Sequence, residues 1–348
     1  MPPTLHLDAS RPADLALAAQ LLRDGQLVAF ATETVYGLGA NALSPTAVAA
    51  IFAAKQRPSW DPLIVHLAST AHLPTITSIP ADLAPRIATL AAAFWPGPLT
   101  LLLSRNASIP DAVTAGRELV GVRIPSHPAA HALLAACGLP IAAPSANRFG
   151  HTSPTTAAHV LADLDHRIAA VLDAGPTSIG LESTVLDPTQ TPMVLYRPGA
   201  ISAAQLATAT GIPVTTYIPP ASRPAPASLP SPGVGIRHYA PTATLVLTDP
   251  TPEALWDRSA DQLLAFPGAP SAVPQLGILL PTGWPPPPAA TVFDWGPFDD
   301  PATLAARLFA GLRTLDDHHV DIILTPLPPP GTLFDAIRDR LQKAAKPR

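Results

Sequence analysis

Between residues 213 and 232 the chain carries seven prolines in twenty positions. Proline has no backbone N–H to donate and a fixed φ, so neither a helix interior nor a central strand runs through such a stretch. The segment reads as an extended, semi-rigid linker. It divides the 348 residues into a larger folded part at 1–210, a connection at 211–242 and a smaller folded part at 243–348. Proline is abundant throughout, with 46 residues against about 5% in ordinary proteins. Together with much alanine and little lysine this marks a GC-rich coding bias, so isolated prolines elsewhere carry less meaning.

Several classes of protein are disfavoured. No apolar run reaches the roughly 18 residues of a membrane span. The opening Met1-Pro2-Pro3-Thr4-Leu5-His6 has no basic stretch followed by an apolar one, so a secretory signal is not expected. The single cysteine, Cys137, has no partner for a disulfide or a metal knuckle. Its neighbours Ala135, Ala136 and Leu139 suggest a small buried hydrophobe. A cytoplasmic protein fits these features. The net charge of -4 argues against a broad basic surface for nucleic acid, while leaving room for a local basic pocket.

Along the first part, helices are expected at 11–25, 45–55, 81–94, 128–137 and 155–164. Ser44 is placed to cap the second of these, with Pro45 at its first position. Strands are expected at 27–30, 63–67, 99–103, 120–124, 140–143, 169–172, 183–186 and 193–196, with residues 32–39 as a polar, glycine-rich turn. Such an irregular mixture points to an α+β or α/β domain. In the second part, strands at 244–247, 276–280, 291–293 and 321–324 alternate with helices at 301–315 and 332–345. That alternation implies a small open α/β domain with a parallel sheet.

Chemistry-bearing residues gather where strands end, which is where ligands bind in open α/β sheets. Thr32, Glu33 and Thr34 offer two hydroxyls and a carboxylate beside glycines. Gly37-Leu38-Gly39 is a weak dinucleotide signal, lacking a third glycine and a later acidic residue; a plain strand-turn-helix connection is its alternative. Lys55 is one of only three lysines, and the other two lie near the C-terminus. It could persist by chance on a solvated helix face or be kept where a compact ammonium is needed. With Arg57 it forms either a helix-dipole pair or a phosphate clamp. Ser145 and Asn147 follow a buried strand, to cap a helix or to contact phosphate and metal-bound water. Arg123 also follows one, as an ion-pair partner or a carboxylate receptor, and the Glu182-Ser183-Thr184 run and Arg197 likewise abut apolar strands. His66, inside an apolar strand, reads as a satisfied core histidine or a ligand-binding one. His127 and His131 lack the glutamate of a zincin helix.

Taken in order, these segments resemble the Sua5/YrdC/YwlC threonylcarbamoyl-AMP synthases. The resemblance rests on Ala31-Thr32-Glu33-Thr34-Val35-Tyr36-Gly37-Leu38-Gly39, on Lys55-Gln56-Arg57-Pro58 with Pro62-Leu63-Ile64-Val65-His66, and on Trp95-Pro96-Gly97-Pro98-Leu99-Thr100. It continues through Val122-Arg123-Ile124-Pro125, Ala143-Pro144-Ser145-Ala146-Asn147, Ser153-Pro154-Thr155-Thr156, Glu182-Ser183-Thr184-Val185 and Arg197-Pro198-Gly199. The run from Ser231 to Pro241 and the second α/β part resemble the longer, two-domain Sua5 type.

That resemblance implies an α/β fold: a YrdC-like twisted mixed sheet with helices around a large, positively charged cavity, followed by a small Rossmann-like parallel α/β Sua5 domain. It implies a nucleotidyltransferase that makes L-threonylcarbamoyladenylate and pyrophosphate from L-threonine, bicarbonate or CO2 and ATP, for the t6A37 modification of tRNA. Mg2+ would enter with the ATP phosphates, without a direct protein ligand, and the product would pass to a tRNA threonylcarbamoyltransferase. Lys55 and Arg57 would be the catalytic cations. Thr34, His66, Arg123, Ser183 and the Ala143 backbone would hold threonine. Arg57, Asp61, Leu119, Ser145, Asn147, Ser153, Arg197 and His238 would hold ATP, with the linker around His238 and Tyr239 closing over it. Asp61 stands where asparagine is common and Leu119 where threonine is common, so Leu119 could keep only a backbone contact. An RNA-binding module using the same basic cavity is the alternative. A carbamoyltransferase like the hydrogenase maturation factors would need zinc-finger cysteines and an acylphosphatase segment, which this sequence lacks.

Overall fold

The computed structural model describes residues 2–219, 228–231, 234, 238–265 and 274–346, with side chains throughout except at 262–265. The chain divides into two compact units. One comprises Met1–Phe149, Ser153–Ser178 and Glu182–Gly235; the other comprises Gly150–Thr152, Ile179–Leu181 and Ile236–Arg348.

The first unit runs β1 (Leu5–Asp8), α1 (Pro12–Arg23), β2 (Val28–Phe30), β3 (Gly37–Asn41), α2 (Pro45–Lys55), β4 (Ile64–His66), α3 (Ala84–Phe94), β5 (Leu99–Ser104), α4 (Asp111–Thr114), β6 (Leu119–Arg123) and α5 (Pro128–Cys137). It continues with β7 (Ile141–Ala142), α6 (Ala157–Leu164), β8 (Ala170–Asp173), β9 (Thr184–Asp187), β10 (Met193–Arg197), α7 (Ala203–Thr210) and β11 (Val214–Thr216). Its strands form one mixed sheet in the order β1-β8-β2-β3-β7-β4-β6-β5-β9-β10-β11. Central strands such as β2, β4 and β9 are buried along their whole length. That explains why their inner residues, Val28-Ala29-Phe30, Ile64-Val65 and Val185-Leu186, read as short continuous apolar runs rather than alternating ones.

Two expectations change here. Gly37-Leu38-Gly39 is neither a dinucleotide turn nor the lead into a helix. It opens β3, which returns antiparallel to β2 with Phe30 opposite Gly37 and Val28 opposite Gly39. A side chain at Gly39 would place its Cβ 2.9 Å from Phe30 Cε1, 3.0 Å from Ile141 Cγ2 and 3.1 Å from Val28 O, so this strand position admits glycine alone. The second change lies in the proline-rich stretch, whose first residues form β11, parallel to β10. The Pro213 carbonyl accepts from Met193 N–H at 2.9 Å, so proline takes part there as an acceptor at the sheet edge.

The second unit contains β12 (Thr244–Thr248), α8 (Pro252–Ala265), β13 (Leu276–Pro281), β14 (Thr291–Gly296), α9 (Pro301–Asp317), β15 (Ile322–Pro326) and α10 (Thr332–Ala344). The sheet order is β12-β15-β13-β14 and every pairing is parallel. Leu255 from α8 packs with Leu276, Ile278, Leu280, Ile322 and Leu324. Asp300 caps α9 by accepting from the Ala302 and Thr303 N–H groups.

Candidate active site

In the first unit, β4 and β6 are parallel neighbours and end together, His66 opposite Arg123. The loop from Thr32 to Tyr36, between β2 and β3, lies beside these carboxyl ends. Thr32 Oγ1 fixes its shape, donating to Val35 O at 2.7 Å and sitting 2.8 Å from Thr34 Oγ1. Arg123 then reaches three partners. Its Nη1 donates to Thr34 Oγ1 at 2.8 Å, its Nε to Gly97 O at 3.2 Å, and its Nη2 lies 2.7 Å from Glu33 Oε1. Both charged side chains are buried. Burial would raise the Glu33 carboxyl, but the Arg123 guanidinium outweighs it and holds the group below the usual carboxylate range.

The loop containing Gly97 and Pro98 carries the constellation onward. Gly97 N–H donates to Ile124 O, and Pro98 O accepts from Thr184 N–H at the start of β9. The preceding residue, Ser183, has its hydroxyl 2.8 Å from Thr100 Oγ1. Arg197 grips the same residue, with Nε on Ser183 O at 3.0 Å and Nη2 on Ser183 Oγ at 3.1 Å. His66 closes the floor, its ring edge-on to Phe30 with centroids 6.3 Å apart. Burial first, and the nearby Arg123 charge second, push its pKa down to about 3. It is therefore a neutral imidazole at working pH.

A second group of residues is assembled by backbone pairing. Leu38 N–H donates to Pro144 O, Ala146 N–H to Tyr36 O, and Ala143 N–H to Ile64 O. These bonds zip the loop after β7 onto the Tyr36–Leu38 segment and onto β4. Lys55 ends α2, whose cap Gln56 adopts the left-handed conformation at φ 54°. Its ammonium, in the last turn of that helix, is directed onto two backbone carbonyls of another loop. It donates to Ser145 O at 2.6 Å and to Asn147 O at 2.5 Å. Burial, then the Arg57 charge, draw its pKa well below the usual lysine range. Arg57 is tied down by its own loop, with Nε on Asp61 O, Nη2 on Pro62 O and an ion pair to Asp61 Oδ2 at 2.9 Å. Phe149 stands beneath its guanidinium, 6.0 Å to the ring centroid. The Ser153 hydroxyl donates to the Glu182 carboxylate.

Two family models cover almost the whole chain. Residues 20–199 match the Sua5, YciO and YrdC family, described as telomere recombination. Residues 201–346 match the threonylcarbamoyl-AMP synthase C-terminal domain. This chain belongs to the Sua5/YrdC family of threonylcarbamoyl-AMP synthases. It is 42% identical to the threonylcarbamoyl-AMP synthase of Bacillus subtilis, over 95% of this chain and 92% of the relative. Identity to that of Pyrococcus abyssi is 38%, covering 95% and 94% of the two chains. The crystal structure of P. abyssi Sua5 complexed with L-threonine superposes with a TM-score of 0.85 at 36% identity, covering 98% of this chain and 97% of that one.

Against the residues that the Sua5 resemblance nominated, the fold bonds Thr34 to Arg123 and links Arg123 through the Gly97–Pro98 loop to Thr184, next to Ser183, with His66 beside Arg123 in the sheet and Ala143 bonded to β4. Arg197, nominated for ATP, is bonded to Ser183 and so joins the two sets. Lys55, Ser145 and Asn147 form a second cluster, and Arg57 with Asp61 a third. Leu119 is apart from Arg123: it starts β6 while Arg123 ends it, roughly 13 Å along the strand, and it pairs with Ser104. His238 belongs to the second unit. Its ring meets Tyr239 edge-on at 4.5 Å, and Tyr239 stacks on Phe309 and lies under the Arg340 guanidinium at 5.1 Å. Sequence reasoning noted Glu33 and Glu182 among the chemistry-bearing residues but assigned neither of them a ligand. Their signal was a carboxylate beside the hydroxyls of each strand-end motif. Among the described residues, no group of three His, Cys, Asp or Glu side chains could hold a metal ion, and no helix is long and apolar enough to cross a membrane.

Proposed function

We propose that this chain condenses L-threonine, bicarbonate or CO2, and ATP into L-threonylcarbamoyladenylate and pyrophosphate, a nucleotidyl transfer whose product serves t6A37 modification of tRNA. The observation that carries this reading is the bond from Arg123 to Thr34 beside His66 at the carboxyl ends of β4 and β6, with Ser183 next to the Thr184 that the Gly97–Pro98 loop holds. Arg123 supplies a planar fork for the amino acid's carboxylate. Thr34, Ser183 and the neutral His66 supply hydroxyl and imidazole partners for its remaining polar groups. A buried polar site of this kind discriminates strongly against ligands lacking the matching groups.

Arg57, Ser145, Asn147, Ser153 and Arg197 would hold ATP, with Asp61 fixing the Arg57 guanidinium. Lys55 contributes the shape of the Ser145–Asn147 loop, since two of its three N–H donors already serve that loop. The carbamate oxygen would attack the α-phosphorus in line, with catalysis by positioning and charge neutralisation. The oxygens of Ser145, Asn147 and Ser153 are hard donors of the kind that suit Mg2+ with its waters. The ion would enter with ATP and offset charge on the triphosphate and departing pyrophosphate. A cytoplasmic location and transfer of the product to a tRNA threonylcarbamoyltransferase complete the reading.

The RNA-binding alternative finds little support in the same geometry. Lys55, Arg57, Arg123 and Arg197 are each 7% exposed or less, so they offer no exposed basic surface along which an extended polymer could lie. The deciding experiment measures pyrophosphate release with threonine, bicarbonate or ATP omitted in turn. All three should be required and RNA should be dispensable. ATP turnover that ignores threonine would remove the assignment.

A further inference from the structure

Glu33 is buried beside Arg123, with side-chain exposures of 7% and 4%. The 2.7 Å approach is a charge contact without hydrogen-bond alignment: among the described residues, neither Glu33 oxygen nor Arg123 Nη2 has an aligned hydrogen-bond partner. A buried carboxylate ordinarily accepts several donors. Here Arg123 balances its charge and the backbone at Glu33 and Ser126 lies close to it, but no aligned donor saturates its oxygens. Arg123 Nε and Nη1 are fixed by Gly97 O and Thr34 Oγ1, so the pair is held in place by its surroundings. A cation and an anion side by side match an α-amino acid zwitterion laid across them, carboxylate toward Arg123 and ammonium toward Glu33.

We propose that Glu33 receives the ammonium of the bound amino acid and takes one proton from it, as a catalytic residue of the reaction proposed above, on which this inference rests. The groups facing Glu33 are Arg123 on β6, His66 on β4 and His127 at the N-cap of α5. Both histidines are shifted toward the neutral form, chiefly by burial. His127 Nδ1 is also occupied as acceptor for Ala129 N–H at 3.2 Å. Arg123 is thus the cation that keeps Glu33 ionised. When the substrate carboxylate shares that guanidinium, two anions compete for one cation and the proton affinity of Glu33 rises. The ligand that brings the ammonium therefore also prepares its acceptor.

In the step itself an N–H bond of the ammonium breaks, the electron pair stays on nitrogen and the proton moves to a Glu33 oxygen. The lone pair then forms the N–C bond to CO2, one C=O pair moves onto oxygen, and the nitrogen's surplus proton passes to water, leaving the carbamate.

The test compares Glu33→Gln and Glu33→Asp with the native protein, measuring threonine-dependent pyrophosphate release from pH 6.5 to 9.5 and ATP affinity by nucleotide titration without threonine. Glu33→Gln should lower kcat/KM for threonine about 100-fold at pH 7. The deficit should shrink about tenfold per pH unit as unprotonated amine becomes available from solution. Glu33→Asp should keep the native pH profile, and ATP affinity should be unchanged in both. A Glu33→Gln deficit that is the same at every pH, or no deficit, overturns the proposal. Absence of pyrophosphate release by the native protein would instead overturn the reaction assignment.

Discussion

Lys55 Nζ donates to the carbonyl of Ser145, 2.6 Å away and ninety residues further along the chain. A second bond to Asn147 O makes this ammonium the point on which the loop after β7 is hung. Replacing Lys55 with methionine keeps much of the volume but leaves two carbonyls without their donor. Each such loss costs about 1–3 kcal/mol, so Lys55→Met should lower the urea midpoint as well as abolish pyrophosphate release. Lys55→Arg should fail to rescue either property, because a planar fork does not fit a site that is 1% exposed. A variant of native stability that is merely inactive would show that the lysine serves ligand alone.

Arg57 and Asp61 form an ion pair whose side chains are 4% and 1% exposed. Removing one partner of such a pair leaves a buried charge uncompensated, at about 3–5 kcal/mol. Asp61→Ala should therefore show a large drop in thermal midpoint. Asp61→Asn keeps an oxygen acceptor for the guanidinium and should lose much less stability and retain turnover. Equal losses in the two variants would mean that the carboxylate charge itself is indispensable.

How far the sequence betrayed this arrangement can be seen residue by residue. The helix at 45–55 was legible because Ser44 and Pro45 mark its start, and α5 because Pro128 and Gly138 bracket it. The β3 strand was hidden: three residues rich in glycine look like a turn until Phe30 and Ile141 press against the space where a Cβ would be. Helix α8 was overlooked although Thr251 and Pro252 carry a start signal, with Thr251 Oγ1 accepting from Ala254 N–H. At the site, strand-end motifs announced Arg123, Ser145 and Ser183. Local spacing could not show that Arg123 would meet Glu33, because that contact depends on which strands become neighbours in the sheet. The use of Lys55 as a backbone anchor was equally invisible, since its partners are carbonyls that every residue possesses.

Gly39 tests the hairpin directly. Gly39→Ala would force a methyl to within 2.9 Å of the Phe30 ring and 3.1 Å of the Val28 carbonyl. Overpacking of this kind costs about 1–3 kcal/mol. The strain falls at the root of the Thr32–Tyr36 loop, so threonine affinity should weaken together with the urea midpoint. Gly25→Ala is the contrast. Open space surrounds Gly25, but its φ is +76°, so the cost there should be modest backbone strain without any change in threonine affinity.

His66 gives the protein a predictable sensitivity to acid. Its folded pKa of about 3 lies below the 6.5 of the unfolded chain. Between those values the unfolded state binds a proton that the folded state refuses, so stability rises with pH across the window. The contribution is fully present above pH 6.5 and is lost as pH falls toward 3. Glu33, held below its ordinary range by Arg123, acts in the same direction at the lower end of that window. Its contribution is present above the unfolded carboxyl pKa and lost as pH falls through the folded one. Comparing the native protein with His66→Gln separates the two, since glutamine does not titrate. Urea midpoints measured from pH 7 to pH 4 should fall more steeply for the native protein than for the variant. Parallel slopes would mean that the folded state tolerates an imidazolium beside Arg123, and the neutral ring would then have no part in shaping the site.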